Sequence, residues 1–279
     1  MKTFCYLMWM LMLPLSGMAQ TDTLRHEVLV ETNMGNIRMA LFNETPVHRD
    51  NFIKMVKEGY YDGILFHRVI NRFMIQTGDS TTRHALPGDS VGEYSPPYTL
   101  QPEILFPRYY HKRGVVAAAR EPDNVNPNRE SSPAHFYIVY GRRYTDEGLD
   151  KVQERITKAT DGKVTLPPEV RQWYKDHGGT PHLDGQYTVF GEVLEGMDVV
   201  DRIQTVETDK RARPLQAVRI IRATVIKSRR ARAPPSSPIL NATFTELNMR
   251  VCQNRHILFF LSQSPDFLKP GRCCGVKFL

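Results

Sequence analysis

The amino-acid sequence predicts a mainly β domain with a few short helices, and three observations predict it. Runs with strand character occupy His26–Phe42, Tyr187–Val193 and Val218–Ile226, with apolar side chains returning at every second position where one face is buried. The run His135–Tyr140, HFYIVY, has the highest β-propensity in the chain. Helical spacing is confined to brief stretches after Thr45, Thr145, Pro168 and Glu195.

The chain's ends differ from its body. Residues 1–19 have the pattern of a secretory signal: Lys2, an apolar run from Phe4 to Leu15, and Gly17-Met18-Ala19 for cleavage before Gln20. The apolar run is too short to span a bilayer, so the expected product is periplasmic or secreted, with no membrane span in the mature chain. The formal net charge is +7, but Thr21–Lys227 balances 28 basic against 28 acidic residues. Ser228–Leu279 carries eight basic and two acidic residues. The excess therefore belongs to the tail, expected to be disordered, and no nucleic-acid partner is expected for the domain. Cys5, Cys252, Cys273 and Cys274 all lie outside Thr21–Lys227, which excludes disulfide and thiol chemistry there.

Taken in order, Val28, Val30, Ile37, Met39 and Leu41 alternate around a turn at Asn33-Met34-Gly35-Asn36. Thr45 is the expected N-cap of a first helix with Pro46 at its first position, an apolar stripe of Val47, Phe52, Met55 and Val56, and Gly59 beyond its end. His48 and Asp50, near its start, are expected to be solvated. Residues 80–107 are rich in Pro, Gly and Ser and read as a long loop or a set of short strands, with Glu103 and Phe106 returning the chain to the sheet. Gly114–Arg120, GVVAAAR, is a strand of small residues. Residues 141–180 read as a helical insertion: Thr145 caps a helix with Leu149, Val152 and Ile156, and Pro167-Pro168 starts another with Val170, Trp173 and Tyr174. Met197, Val200 and Ile203 form one face of a last short helix before the final strand.

The stretch with most chemical promise is Phe66–Asp79, FHRVINRFMIQTGD. Alternation places Phe66, Arg68 and Ile70 on one face and His67 and Val69 on the other. An unpaired charge is too costly to bury, so Arg68 is either an edge residue reaching water or a fixed guanidinium beside an apolar pocket. No serine elbow, zinc-spaced cysteine pair or phosphate loop is present. His67, His111, His135, His177 and His182 are scattered over separate segments and read as structural. No cofactor is implied. One reaction needs neither nucleophile nor metal: rotation about an X-Pro bond, with a barrier of ~18–20 kcal/mol set by amide resonance. It calls for an apolar slot for the proline ring and a donor aimed at the prolyl nitrogen.

Four blocks, FHRVINRFMIQTGD (66–79), GVVAAAR (114–120), HFYIV (135–139) and HLDGQYTVFGEVLEGMDVV (182–200), make residues 27–227 resemble the cyclophilin family of peptidyl-prolyl cis-trans isomerases. The resemblance implies a closed eight-stranded antiparallel barrel with two flanking helices, at 45–58 and about 195–203, and a slot on the barrel's outer surface. It implies that Arg68 is the catalytic arginine and that Gln76 contacts the peptide backbone and steadies it. Phe73 and Met74 are then the pocket floor, Ala119 and Arg120 hold the substrate through main-chain groups, and His135, Phe136, Tyr137, His182, Leu183 and Tyr187 complete the site. Proline-containing polypeptides are the implied partners, a monomer is expected, and the signal sequence makes exported proteins the expected clients.

Several residues depart from the family pattern. His135 replaces a Gln, Tyr137 a Phe and Tyr187 a frequent His, and His182 stands where many members have the Trp associated with cyclosporin binding. Thr77 replaces a Gly, and the 141–180 insertion is absent from the minimal fold. The Tyr137 hydroxyl suggests an alternative, a proline-peptide binding module with little turnover. The insertion and the basic tail suggest another, a scaffold.

Overall fold

The structure is a computed structural model that describes residues 26–226. The signal sequence expected at 1–19 and the disordered tail expected at 228–279 lie outside the described residues. Eight strands, β1 (His26–Thr32), β2 (Gly35–Leu41), β3 (Arg68–Ile70), β4 (Met74–Thr77), β5 (Val115–Ala118), β6 (Phe136–Val139), β7 (Val189–Glu195) and β8 (Ile220–Ile226), form one sheet. Their order is β3-β4-β6-β5-β7-β2-β1-β8, and each neighbouring pair is antiparallel.

The sheet curls into a half-barrel but stays open, which corrects the closed barrel expected from the sequence. β3 and β8 are the two edges and do not pair. The reason lies in β3, which has only three residues. Ahead of it the chain runs beside the start of β8, where Phe66 N–H donates to Val218 O at 2.9 Å and Ile220 N–H to Ile64 O at 2.9 Å. At Arg68 it leaves that neighbour to pair with β4, and Val69 N–H goes instead to Ala212 O in the loop ahead of β8. The same switch breaks the expected alternation. Phe66 is buried in the interior core rather than sharing the Arg68 face.

Among the described residues, four helices accompany the sheet: α1 (Pro46–Lys57), α2 (Asp146–Ala159), α3 (Pro168–Asp176) and α4 (Met197–Gln204). None is long and apolar enough to cross a membrane. α1 packs on β7 and β8, and α4 on β2, β3 and β4. Their faces, Phe52, Met55 and Val56 on α1 and Val199, Val200 and Ile203 on α4, join Val28, Val30, Ile37, Met39, Leu41 and Ile138 in the interior core. Gly59 N–H bonds Val56 O and Tyr60 N–H bonds Met55 O, so α1 ends in a Schellman motif.

The start of α1 departs from expectation. Thr45 makes no side-chain cap. The carboxylate of Glu103 caps the helix instead, accepting from Val47 N–H and His48 N–H at 3.0 Å each. It also bonds His48 Nδ1 at 2.7 Å, so His48 is buried rather than solvated. A carboxylate here satisfies two orphan amides and complements the helix dipole. The 80–107 stretch thus reaches α1 through Glu103; its only regular element is the 3-10 turn Ser80–His84.

α2 and α3 form the expected insertion. Thr145 caps α2 by accepting from Gly148 N–H, and Leu149, Val152, Ile156, Leu166, Val170 and Tyr174 make a separate buried cluster. The chain leaves α3 through Gly178-Gly179 into a 3-10 turn, Pro181–Leu183.

Candidate active site

The β3–β4 hairpin sets the site. In its register Arg68 faces Gln76, Val69 faces Ile75 and Ile70 faces Met74. Arg68 and Gln76 therefore stand side by side on one face, and an Arg68 guanidinium N–H donates to Gln76 Oε1 at 3.0 Å. Asn71, Arg72 and Phe73 turn the hairpin, with Arg72 in the left-handed region at φ 56°. The turn is held from α4: Gln204 Oε1 accepts from Arg72 N–H at 2.7 Å and Gln204 O from Asn71 Nδ2 at 3.2 Å. Partial desolvation lowers the Arg68 pKa, yet guanidinium titrates so far above neutrality that Arg68 stays charged.

Pairing of β4, β5 and β6 builds the rest of the face. Gln76 is opposite Tyr137, and Tyr137 is opposite Ala117. Strand alternation sends Met74, Val115, Ala117, Tyr137 and Val139 outward, where Phe73, Ala119, Leu183 and Tyr187 pack against them. Ile75, Val116, Phe136 and Ile138 point to the interior. The outward residues enclose a slot of about 220 Å³ lined by Arg68, Phe73, Met74, Gln76, Ala119, Arg120, Tyr137, Leu183 and Tyr187. Nine of the twelve residues chosen from the sequence thus converge on one cavity, on the outer surface of the sheet.

Arg120 is fixed at the rim. Its side chain donates to Gln186 O at 2.9 Å and Glu121 O at 2.8 Å and pairs with Asp123. Its guanidinium carbon lies 4.5 Å from the centre of the Tyr187 ring, a favourable cation–π geometry. The main-chain N–H and C=O of Arg120 make no hydrogen bond among the described residues. Those of Ala119 are both engaged within the protein, to His135 O and from Ser132 N–H, and its side chain is part of the slot wall.

Three expected residues do not line the slot. Phe136 follows the alternation inward and packs against Phe52 and Tyr61 at centroid distances of 5.1 and 5.4 Å. His135 is buried beside His67, with Nε2 2.8 Å from Tyr94 O. Gly78 accounts for its close seat on β4: a Cβ there would lie 2.4 Å from His135 Cα, and φ is 127°. His182 backs the floor by stacking on Phe73 at 5.4 Å, and burial pushes its imidazole down to about 4.

Residues not expected in the site lie directly behind it. The Tyr137 hydroxyl is 3.0 Å from Nε2 of His111, whose Nδ1 is 3.0 Å from Oδ1 of Asp184. Asp184 Oδ2 in turn accepts from the Tyr174 hydroxyl at 2.7 Å. Nothing in their spacing joins positions 111, 137, 174 and 184. The one local signal is that Asp184 directly follows Leu183.

Comparison with known proteins agrees with this geometry. A family model described as cyclophilin type peptidyl-prolyl cis-trans isomerase/CLD matches residues 27–225. A Staphylococcus aureus (strain COL) protein with a peptidyl-prolyl cis-trans isomerase name is 33% identical over 195 residues, covering 69% of this chain and 87% of its own. A peptidyl-prolyl cis-trans isomerase of Arabidopsis thaliana is 33% identical over 215 residues, which is 76% of this chain but 26% of that longer protein. Among solved structures, a cyclophilin type peptidyl-prolyl cis-trans isomerase of Cryptosporidium parvum shares the fold, with TM-score 0.53 at 22% identity over 74% of this chain and 99% of its own. The structure of that protein in the presence of the dipeptide Ala-Pro gives TM-score 0.51 at 21% identity, covering 72% and 99%.

Proposed function

The chain belongs to the cyclophilin-type peptidyl-prolyl cis-trans isomerase family, and we propose that the slot beside Arg68 is where it accelerates rotation of X-Pro bonds. One observation carries this reading: a guanidinium held by Gln76 Oε1 stands at the mouth of a cavity walled by Phe73, Met74, Tyr137 and Leu183. The proline ring occupies the apolar cavity, and the flanking peptide lies along β5 and Arg120. Ala-Pro, in whose presence the Cryptosporidium relative was solved, is the smallest unit with the required bond.

Catalysis then follows from amide electronics. Planar amide resonance spreads the prolyl nitrogen's lone pair over the carbonyl, and rotation returns it to the nitrogen. A donor fixed beside that nitrogen binds the twisted state better than either planar isomer, which lowers the barrier. Arg68 supplies that donor. Gln76 accepts one of its N–H groups and so aims the remaining ones. The main-chain N–H and C=O of Arg120 grip the extended peptide, holding one side of the bond while the other turns. No proton is transferred, so the site requires no group titrating near neutrality.

The test is a proline-limited refolding or peptide assay on Arg68→Ala. Removal of one preorganised donor is expected to lower kcat/KM by roughly 10²–10³-fold. A variant as fast as wild type would refute this role for Arg68. The pattern of Lys2, Phe4–Leu15 and Gly17-Met18-Ala19 supports exported clients and a periplasmic or secreted site of action. N-terminal sequencing of the native protein tests that: an N-terminus near Gln20 is expected, and an intact Met1 would overturn it.

A further inference from the structure

We propose that the helical insertion is a working part of the proline slot, with Tyr174, Asp184 and His111 as positioning residues that fix the tip of the Tyr137 ring. The inference rests on the slot reading above. It starts from donor and acceptor chemistry. A carboxylate only accepts, and Asp184 meets three donors: the Tyr174 hydroxyl at 2.7 Å, the His111 backbone N–H at 2.7 Å and His111 Nδ1 at 3.0 Å. The imidazole proton therefore sits on Nδ1. In the neutral ring Nε2 then keeps its lone pair, and the Tyr137 hydroxyl, 3.0 Å away, donates to it. Three of the four hydrogen bonds end on one carboxylate, and the fourth links the slot residue Tyr137 to it through His111.

Water does not compete for these groups. Tyr137 is 4% exposed, His111 1%, and Asp184 and Tyr174 0%. Burial raises both tyrosine hydroxyls well above their usual range, so both keep their protons. The rings support the same arrangement. His111 stacks behind Tyr137 at 6.1 Å and 16°, and Tyr187 meets Tyr137 edge-on at 6.2 Å.

The result concerns what the substrate meets. With its O–H bound to His111, Tyr137 shows the slot an aromatic ring and turns its polar atom into the protein. A freely rotating hydroxyl would instead bring a donor and its hydration into an apolar cavity. The far anchor comes from α3, seated by Leu149, Ile156 and Val170. The join between α3 and the site is tight: a Cβ on Gly179, where φ is 152°, would lie 2.3 Å from His111 O and 2.6 Å from Tyr174 Cε1. The chain then continues through Thr180, whose N–H bonds His111 O, directly to the slot residue Leu183. The insertion is thus fastened to the slot twice, through Asp184 and through Leu183.

The experiment is a double-mutant cycle on kcat/KM with an X-Pro peptide, using Tyr174→Phe, Tyr137→Phe and both in the full chain. Tyr174→Phe keeps the ring that packs α3 and removes only the hydroxyl. It is expected to lower kcat/KM roughly three- to tenfold in the wild-type background and by less than about twofold when residue 137 is Phe. Equal losses in both backgrounds would mean that Tyr174 only supports α3, and would overturn the proposal, as would no loss at all. A second measurement does not depend on how Tyr174→Phe folds. The ¹⁵N spectrum of wild-type His111 is expected to show the Nδ1–H tautomer, with an Nε2 resonance that moves in Tyr137→Phe; an Nε2–H tautomer would overturn the proposal. Arg68→Ala, assayed alongside, separates the two readings. Full activity there refutes the slot, whereas its collapse together with an additive cycle refutes only the role of the insertion.

Discussion

Arg68 and Gln76 are direct register partners across the β3–β4 hairpin, and the bond between them, 3.0 Å long, ties the guanidinium to its own hairpin rather than to a carboxylate. The choice of an amide matters. An acid at position 76 would also hold Arg68, but as a salt bridge that draws donor strength away from a substrate. Gln76→Glu is therefore expected to fold with wild-type stability and to lose roughly tenfold or more in kcat/KM, mainly in kcat. An unchanged kcat would show that Gln76 does not aim Arg68.

Glu103 is expected to stabilise α1 from 55 residues away in sequence. Glu103→Ala removes the acceptor for Val47 N–H, His48 N–H and the buried His48 ring. The loss is expected to be about 2–3 kcal/mol by urea unfolding, above that of an ordinary N-cap because a buried imidazole is also stranded. A loss below about 0.5 kcal/mol would show that the cap is dispensable.

The inward position of Phe136 can be tested against the slot assignment expected from the sequence. Phe136→Ala opens a cavity beside Phe52 and Tyr61 and is expected to cost about 3–5 kcal/mol. The gentler Phe136→Leu is expected to cost less and to leave the KM for X-Pro peptides within about twofold. A large KM change with unaltered stability would place Phe136 in the slot after all.

Acid is expected to loosen the fold through its buried histidines. Burial, with His135 adding to it, pushes His67 down to about 3. The unfolded histidine titrates near 6.5, so below about that pH the unfolded chain binds protons that the native protein refuses. Stability from neutral His67 is thus complete above roughly pH 6.5 and is lost as pH falls toward 3. Burial lowers His135 and His182 as well, in the same direction. Between about pH 6.5 and 4.5 a fully buried imidazole can account for about 2–3 kcal/mol. The unfolding midpoint should decline more shallowly in His67→Gln than in wild type over that window; parallel curves would exclude His67.

The sequence disclosed what depends on local periodicity. The turn of β1–β2, the stripe Phe52-Met55-Val56, the Thr145 cap and the outward set Arg68, Met74, Gln76 and Tyr137 all lie within reach of spacing or family motif. What it concealed depends on partners far along the chain. Nothing local marks Glu103 as the cap of α1, so spacing alone assigns the cap to Thr45 and leaves His48 exposed. Nothing near Tyr137 in sequence supplies a partner for its hydroxyl, because His111 and Asp184 arrive from separate segments. Phe136 sits next to a true slot residue in sequence and on the opposite face in space. The closed barrel failed where a three-residue strand was too short to keep two neighbours.

The curled sheet also makes strand register a functional quantity. β4 and β6 are four residues each and place Ile75, Phe136 and Ile138 inside while Met74, Gln76 and Tyr137 face the slot. A slip of one residue between them would turn the slipped strand's inward and outward side chains over completely. Mispairing therefore cannot remove the slot and spare the core, since the same step puts either the Gln76 amide or the Tyr137 hydroxyl among apolar side chains. In these two short strands, the requirement for a dry interior proofreads the proposed slot.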